Sequence, residues 1–433
     1  MSPDPADGRL IVLRLPDLRR FLAARFIALV ATQVQTVAVG WQVFSVSGNP
    51  FDLGLVALSQ FLPFIVLILP AGHVADHYDR RRIQLVTYVI LAVCSAALFA
   101  LALGGAEDVW PIFAVSSLFG VARAFNQPVG QALLPNLAPG DAFPRAVAFQ
   151  SSLQQIATIA GPAFGGVLII FGVELAYGVA LALLVVAVVL VSGLKAGGRT
   201  ETSREPVSWE ALLSGVRFVR SRPVVLGSIS LDLFAVLFGG AEALLPIYAG
   251  EILGVGPAGL GVMRAAPAVG AALLAAHLTV RPLRRHLGAW MFGGVGVFGV
   301  ATIVFGLSTS FALSLAALVI MGAGDMVSVY IRHLLVQLET PDVIRGRVSA
   351  VNSVFIGASN ELGQFESGVT AAWWGIVPAV VVGGGVTILV AGLWARLFPD
   401  IRDLDRTPEP IAQREPEPMP GPEPDAASAR IGR

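Results

Sequence analysis

Twelve runs of mostly apolar residues, most of them about the 20 residues a helix needs to cross a bilayer, constrain this chain more than any other feature. They cover roughly 21–46, 53–76, 83–104, 109–135, 146–172, 175–194, 223–249, 258–280, 288–307, 311–336, 348–373 and 377–398. In lipid each backbone N–H and C=O must find its partner within the protein, so runs of this kind are expected to be membrane-spanning helices. Composition agrees, because 55% of the 433 residues are apolar and only 13% are charged, against about 25% charged in a soluble protein. The 29 basic and 29 acidic side chains balance, so no basic excess points to nucleic acid. A single Cys94 excludes a disulfide framework and a cysteine-based zinc site. The first twenty residues are polar and Arg-bearing, without the apolar core of a cleavable signal, so the mature chain is expected to begin at Met1.

Orientation follows from the basic residues of the loops, which stay cytoplasmic. With the N-terminus inside, the inner segments hold Arg80, Arg81 and Arg82, Arg145, Lys195, Arg281, Arg284 and Arg285, Arg345 and Arg347, whereas the outer loops hold only the acids Asp52, Glu107, Asp108, Glu174 and Glu251. Both termini are therefore expected in the cytoplasm. The longest polar break divides the chain into a cytoplasmic segment 1–20, a six-helix bundle 21–194, a cytoplasmic linker 195–222, a second six-helix bundle 223–399 and a disordered tail 400–433 rich in Pro and charge. Internal duplication supports this division. At an offset of 202, Pro139, Arg145, Ser151, Gly161 and Gly166 fall on Pro341, Arg347, Ser353, Gly363 and Gly368.

Between the second and third spans lies Gly72-His-Val-Ala-Asp76-His-Tyr-Asp-Arg80-Arg81-Arg82. This segment resembles the loop two–three signature of the major facilitator superfamily at Gly72, Asp76, Arg80 and Arg81, and departs from it at His77 and Asp79. The resemblance implies a gating loop that latches the cytoplasmic side; the plainer alternative is a basic loop that only sets topology. The fifth span carries Gly161-Pro162-Ala-Phe-Gly165-Gly166, similar to the Gly-Pro-x-x-Gly-Gly element of proton-coupled antiporters in that superfamily. Glycines four apart also simply let helices approach closely, and Pro162 permits a kink. Arg345-Gly-Arg347 resembles a branch of bacterial drug and siderophore exporters that includes enterobactin exporters. The implied fold class is an all-α membrane protein, twelve transmembrane helices in two six-helix pseudo-repeat bundles of the major facilitator fold.

Ionisable residues inside spans are costly and mark pathways or ion pairs. Counted at about 1.5 Å per residue, Asp325 and Glu361 lie nearest mid-membrane. A carboxyl withdrawn from water binds a proton more readily, which makes Glu361, then Asp325 and Glu366, the proton-coupling candidates; a permanent salt bridge of Glu361 with Arg123 or another cation is the alternative. At the 202 offset Glu361 falls on Ile159, so duplication does not account for the acid. Arg123 suits an anionic substrate group equally well. In the family, helices one, four, seven and ten line the central cavity, which assigns Gln33, Thr36, Gln42, Asn126 and Gln127 to its wall or to interhelical hydrogen bonds. Glu242 and Arg264, both toward the outer side, form a candidate structural pair.

Other chemistry has little support. His73 and His77 stand four apart, but the loop signature accounts for them and no metal is expected. No phosphate loop is present, so no cofactor is expected, and no nucleophile stands with a base and orienter. The class expected is a non-enzymatic secondary transporter of the inner membrane, an antiporter engaged in efflux of a drug, siderophore or related metabolite by alternating access, with a small-molecule substrate, a proton gradient and the lipid bilayer as partners. The alternatives are an importer or facilitator, or a membrane assembly or sensor protein of the same fold.

Overall fold

The computed structural model describes residues 15–105, 107–138, 140, 142–195 and 209–406; the side chains of Leu69, Asp76, Asp342, Val343, Ala350 and residues 209–212 lie outside the description. The first half comprises α1 (Pro16–Ser47), α2 (Pro50–His77), α3 (Arg80–Leu103), α4 (Trp110–Leu137), α5 (Ala142–Ile169) and α6 (Val173–Ser192). The second half comprises α7, which begins at Pro223–Gly239, then α8 (Gly256–Val280), α9 (Leu287–Leu307), α10 (Phe311–Leu338), α11 (Asp342–Trp374) and α12 (Ile376–Leu397). Ten of these twelve are long and apolar enough to cross a membrane. The two that are not, α4 and α11, carry the Arg, Asn, Gln and Glu residues of the cavity described below.

Local chemistry explains the boundaries. Gly48 takes a left-handed conformation (φ 60°) that ends α1, Asn49 accepts a hydrogen bond from the Phe51 N–H at 3.0 Å, and Pro50 opens α2. Asp79, one of the two departures from the loop signature, caps α3 by accepting from the Arg81 N–H at 2.9 Å.

The seventh span is not the continuous helix expected over 223–249. It breaks at Gly240 and resumes as a short 3₁₀ turn (Glu242–Leu244), one helical turn (Leu245–Ile247) and a π turn (Tyr248–Ile252). Two successive glycines weaken the helix there, and the Ser367 hydroxyl of α11 donates to the freed Gly240 carbonyl at 2.5 Å.

Two further boundaries differ from expectation. Within the linker region, Trp209–Ser221 is a helix packed on α11, where Arg347 donates to the Ser214 hydroxyl at 3.3 Å. The first seven residues of the expected disordered tail are held: Pro399–Arg402 forms a helical turn, Gly288 N–H donates to the Leu404 carbonyl at 3.0 Å, and Asp405 meets His286 Nδ1 at 2.9 Å. Residues 407–433, like 1–14 and 196–208, lie outside the described residues.

Each half packs mainly on itself, α1 on α5 and α6 and α2 on α4 in the first, α8 on α10 and α9 on α10 and α12 in the second. The halves are joined chiefly by two crossings, α5 on α8 and α2 on α11, and these are built alike. A Cβ on Gly166 would lie 2.5 Å from the Pro257 carbonyl and 2.8 Å from Gly261 Cα; one on Gly368 would lie 2.8 Å from both the Pro50 carbonyl and Gly54 Cα. The same Pro-x-x-x-Gly start of a helix meets the same glycine of the 202-offset pair in each case. Both crossings sit at the face opposite the basic loops, hereafter the outer face.

Candidate functional site

A cavity of about 470 Å³ lies between the halves on the basic-loop side of these crossings. Along α1 its wall runs from Arg25 to Gly40, sixteen residues spanning roughly 22 Å of helix. It stops where Gly40 meets the Pro246 ring beyond the α7 break, a Cβ on Gly40 lying 3.3 Å from it. Gln131, near the basic-face end of α4, lines the cavity and is exposed, so the cavity communicates with that face.

Of the six residues assigned to the cavity, Arg123, Gln33, Thr36, Asn126 and Gln127 line it. Asn126 Oδ1 accepts from Gln84 at 2.7 Å, while the Thr36 hydroxyl donates within its own helix to the Thr32 carbonyl at 2.8 Å. Gln42 does not reach the cavity. It is buried, and Tyr177 of α6 donates to its Oε1 at 2.7 Å, so it serves helix packing. Arg25, Gln60, Gln131, Gln154, Arg264 and Gln364 also line the wall. Hydropathy could not place them on the cavity wall, because only the crossing geometry decides which face of each helix looks inward.

Glu361 on α11 is the one proton-coupling candidate on the cavity wall. It forms an ion pair with Arg123 of α4, tying the two halves together. Glu361 is nearly buried, whereas Arg123 stays accessible from the cavity and lies 5.4 Å over the Phe64 ring. Asp325 stands outside the cavity wall, in electrostatic reach of Asp232 and Arg332. Those two form a buried ion pair between α7 and α10 that sequence distance gave no means of pairing. Glu366 is half-buried one turn beyond Glu361 and also off the wall. Glu242 and Arg264 do not form the expected pair; Glu242 acts on Arg264 only through space, because the α7 break carries it into a different turn.

The helix-five motif is a three-helix contact. Gly161 and Gly165 face α1, with ideal Cβ positions 2.6 Å from Gln33 Cβ and 3.0 Å from Val34 Cα, and the Pro162 carbonyl abuts Gly261 of α8 beside Gly166. In the loop two–three segment, Arg80 donates to the Ala132 carbonyl at 3.1 Å and Arg81 to the Ser192 carbonyl. Both bonds stay within the first half. Gly72 lies within α2, and the Asp76 side chain is outside the described residues. Among the described residues no group of three or more His, Cys, Asp or Glu converges on one point.

The family model of transmembrane secretion effectors, one of the major facilitator superfamily, matches residues 10–423. The chain belongs to that family. Among secretion effectors and their kin it is 27% identical over 393 residues to the multidrug efflux pump Tap of Mycolicibacterium fortuitum, covering 87% of this chain and 94% of the pump. It is 26% identical over 405 residues to the enterobactin exporter EntS of Citrobacter koseri, covering 92% and 95%. A crystal structure of a bacterial homologue of the lysosomal transporter Spinster superposes with a TM-score of 0.70 at 16% identity, covering 93% of this chain and 99% of that one, which fits the fold. The chain is thus a multi-pass membrane protein of a transporter superfamily, in the branch that holds drug and siderophore exporters.

Proposed function

We propose that this secretion effector is a proton-driven exporter of small molecules that works by alternating access in a bacterial inner membrane, with both termini cytoplasmic. The observation that carries the reading is the Arg123–Glu361 pair, a charge contact between the halves on the wall of their shared cavity. Neutralising Glu361 with a proton removes the attraction that holds α4 to α11, so the protonation state of one carboxyl biases how the halves sit. The halves have the means to rock, since glycine-to-backbone crossings at the outer face form two narrow contacts. The named activities of Tap and EntS favour export, and the basic loops favour a cytoplasmic opening.

The test is flux of siderophores and dyes into inside-out vesicles, with and without an acidic lumen, for the unaltered chain and Glu361→Gln. Uptake driven by the acidic lumen and lost in the variant supports the reading. Gradient-driven uptake that survives in the variant moves coupling to Asp325 or Glu366, and flux indifferent to the gradient overturns antiport.

A further inference from the structure

The charges on the cavity wall do not balance. Arg25, Arg123 and Arg264 face a single carboxylate, Glu361. Glu361 is committed to Arg123, which leaves two guanidiniums without an ion pair among the described residues. Arg264 has its Nε buried and lacking any hydrogen-bond partner, and the acids that act on it, Glu242 and Glu361, do so only through space. Arg25 lies flat against Gly130, where any side chain would collide with its guanidinium, so the glycine keeps room for the cation at the cavity's basic-face end. A guanidinium away from bulk water and without a counter-ion is unfavourable unless an anion arrives. Leu53, Val56 and Phe119 add apolar surface to the outer part of the wall.

Resting on the transporter reading above, we propose that the cavity selects amphipathic organic anions, carboxylates or sulfonates of drug size, with Arg25 meeting the acidic group at the basic-face end, Arg264 meeting it deeper in the cavity, and the apolar side chains of the wall contacting the remainder. The cavity volume of about 470 Å³ falls within the range of pockets for molecules of that size. The Arg123–Glu361 pair is then free for coupling while the anion is held elsewhere, so proton and substrate need not share one residue. Guanidinium recognition of a carboxylate is geometrically specific, because its planar fork matches two oxygens at once.

The experiment measures binding of three dansyl probes to the purified full chain in detergent by fluorescence: dansylglycine (anion), dansylamide (neutral) and dansylcadaverine (cation). Dansylglycine is expected to bind tightest, and Arg264→Gln and Arg25→Gln each to weaken it about tenfold more than they weaken dansylamide, the size of one lost charge-assisted hydrogen bond. Arg264→Lys keeps the charge and is expected to recover part of the loss, and thermal melting shows that the variants remain folded. Equal binding of the three probes, a preference for the cation, or variants that weaken all probes alike would overturn the proposal. Vesicle flux of the same probes separates the two readings: gradient-driven flux with no preference for the anion overturns anion selection and leaves export standing, whereas anion-selective binding with no flux supports the site and overturns export.

Discussion

The crossings α5 on α8 and α2 on α11 bring the halves together through the same backbone contact, Gly166 on Pro257 and Gly261 in one and Gly368 on Pro50 and Gly54 in the other. They differ in what lies about one and a half to two turns inward of that glycine. On α11 it is Glu361, paired to Arg123 across the halves; at the matching place on α5 it is Ile159. Packing was duplicated and charge was not. Close approach of two helices in lipid depends on small residues at one point, a requirement both copies share. A buried carboxylate needs a cationic partner, and only one copy supplies it. The ion pair between the halves is therefore one-sided in a nearly two-fold frame.

This contrast can be broken at several places. The largest effect is expected at Glu361→Gln, which should abolish the response of flux to a proton gradient while leaving the protein folded; Ile159→Gln at the matching place should leave that response intact. Next comes Asp232→Asn, which removes the ion-pair partner of Arg332, itself 2% exposed, leaving Asp325 in electrostatic reach, and should cost up to about 3–5 kcal/mol of stability, read as a lower melting temperature in detergent. A second-half charge that proved dispensable here would show that not all its acids are structural or coupling groups. Gly166→Leu and Gly368→Leu should each cost about 1–3 kcal/mol by overpacking and slow flux to a similar degree, whereas a large effect at one and none at the other would show that the crossings are not equivalent. The smallest effect is expected at Tyr177→Phe, which removes the hydrogen bond to the Gln42 carbonyl within the first half and should lower stability by about 1 kcal/mol with gradient dependence unchanged.

Much of the frame was legible from apolar run length, and the two least apolar helices, α4 and α11, turned out to be those that carry the charge pair between the halves. The offset glycines, read in the sequence as a mark of duplication, turn out to lie at both crossings, since a close contact leaves a residue type behind. What could not be read were contacts set by helix rotation and by distant pairing. Gln33, Thr36 and Gln42 looked alike on α1, yet the first two face the cavity and Gln42 faces Tyr177. The Asp232–Arg332 pair joins residues a hundred positions apart. The break in α7 needed Ser367 from another helix to satisfy the Gly240 carbonyl, so the local glycine pair alone did not announce it. Arg123 and Glu361 were legible as candidates because charges inside apolar spans are conspicuous; that they meet was one of two readings their positions allowed.

The central claim is that protonation of Glu361 changes how the halves sit. Spin labels at Val147→Cys on α5 and Val280→Cys on α8, both exposed toward the basic face, in a chain whose Cys94 is replaced by Ala, report the separation of the halves by pulsed dipolar spectroscopy. The account predicts two separations whose proportions shift between neutral and acidic pH, and a distribution in Glu361→Gln that no longer responds to pH. An equal pH response in the variant would contradict it.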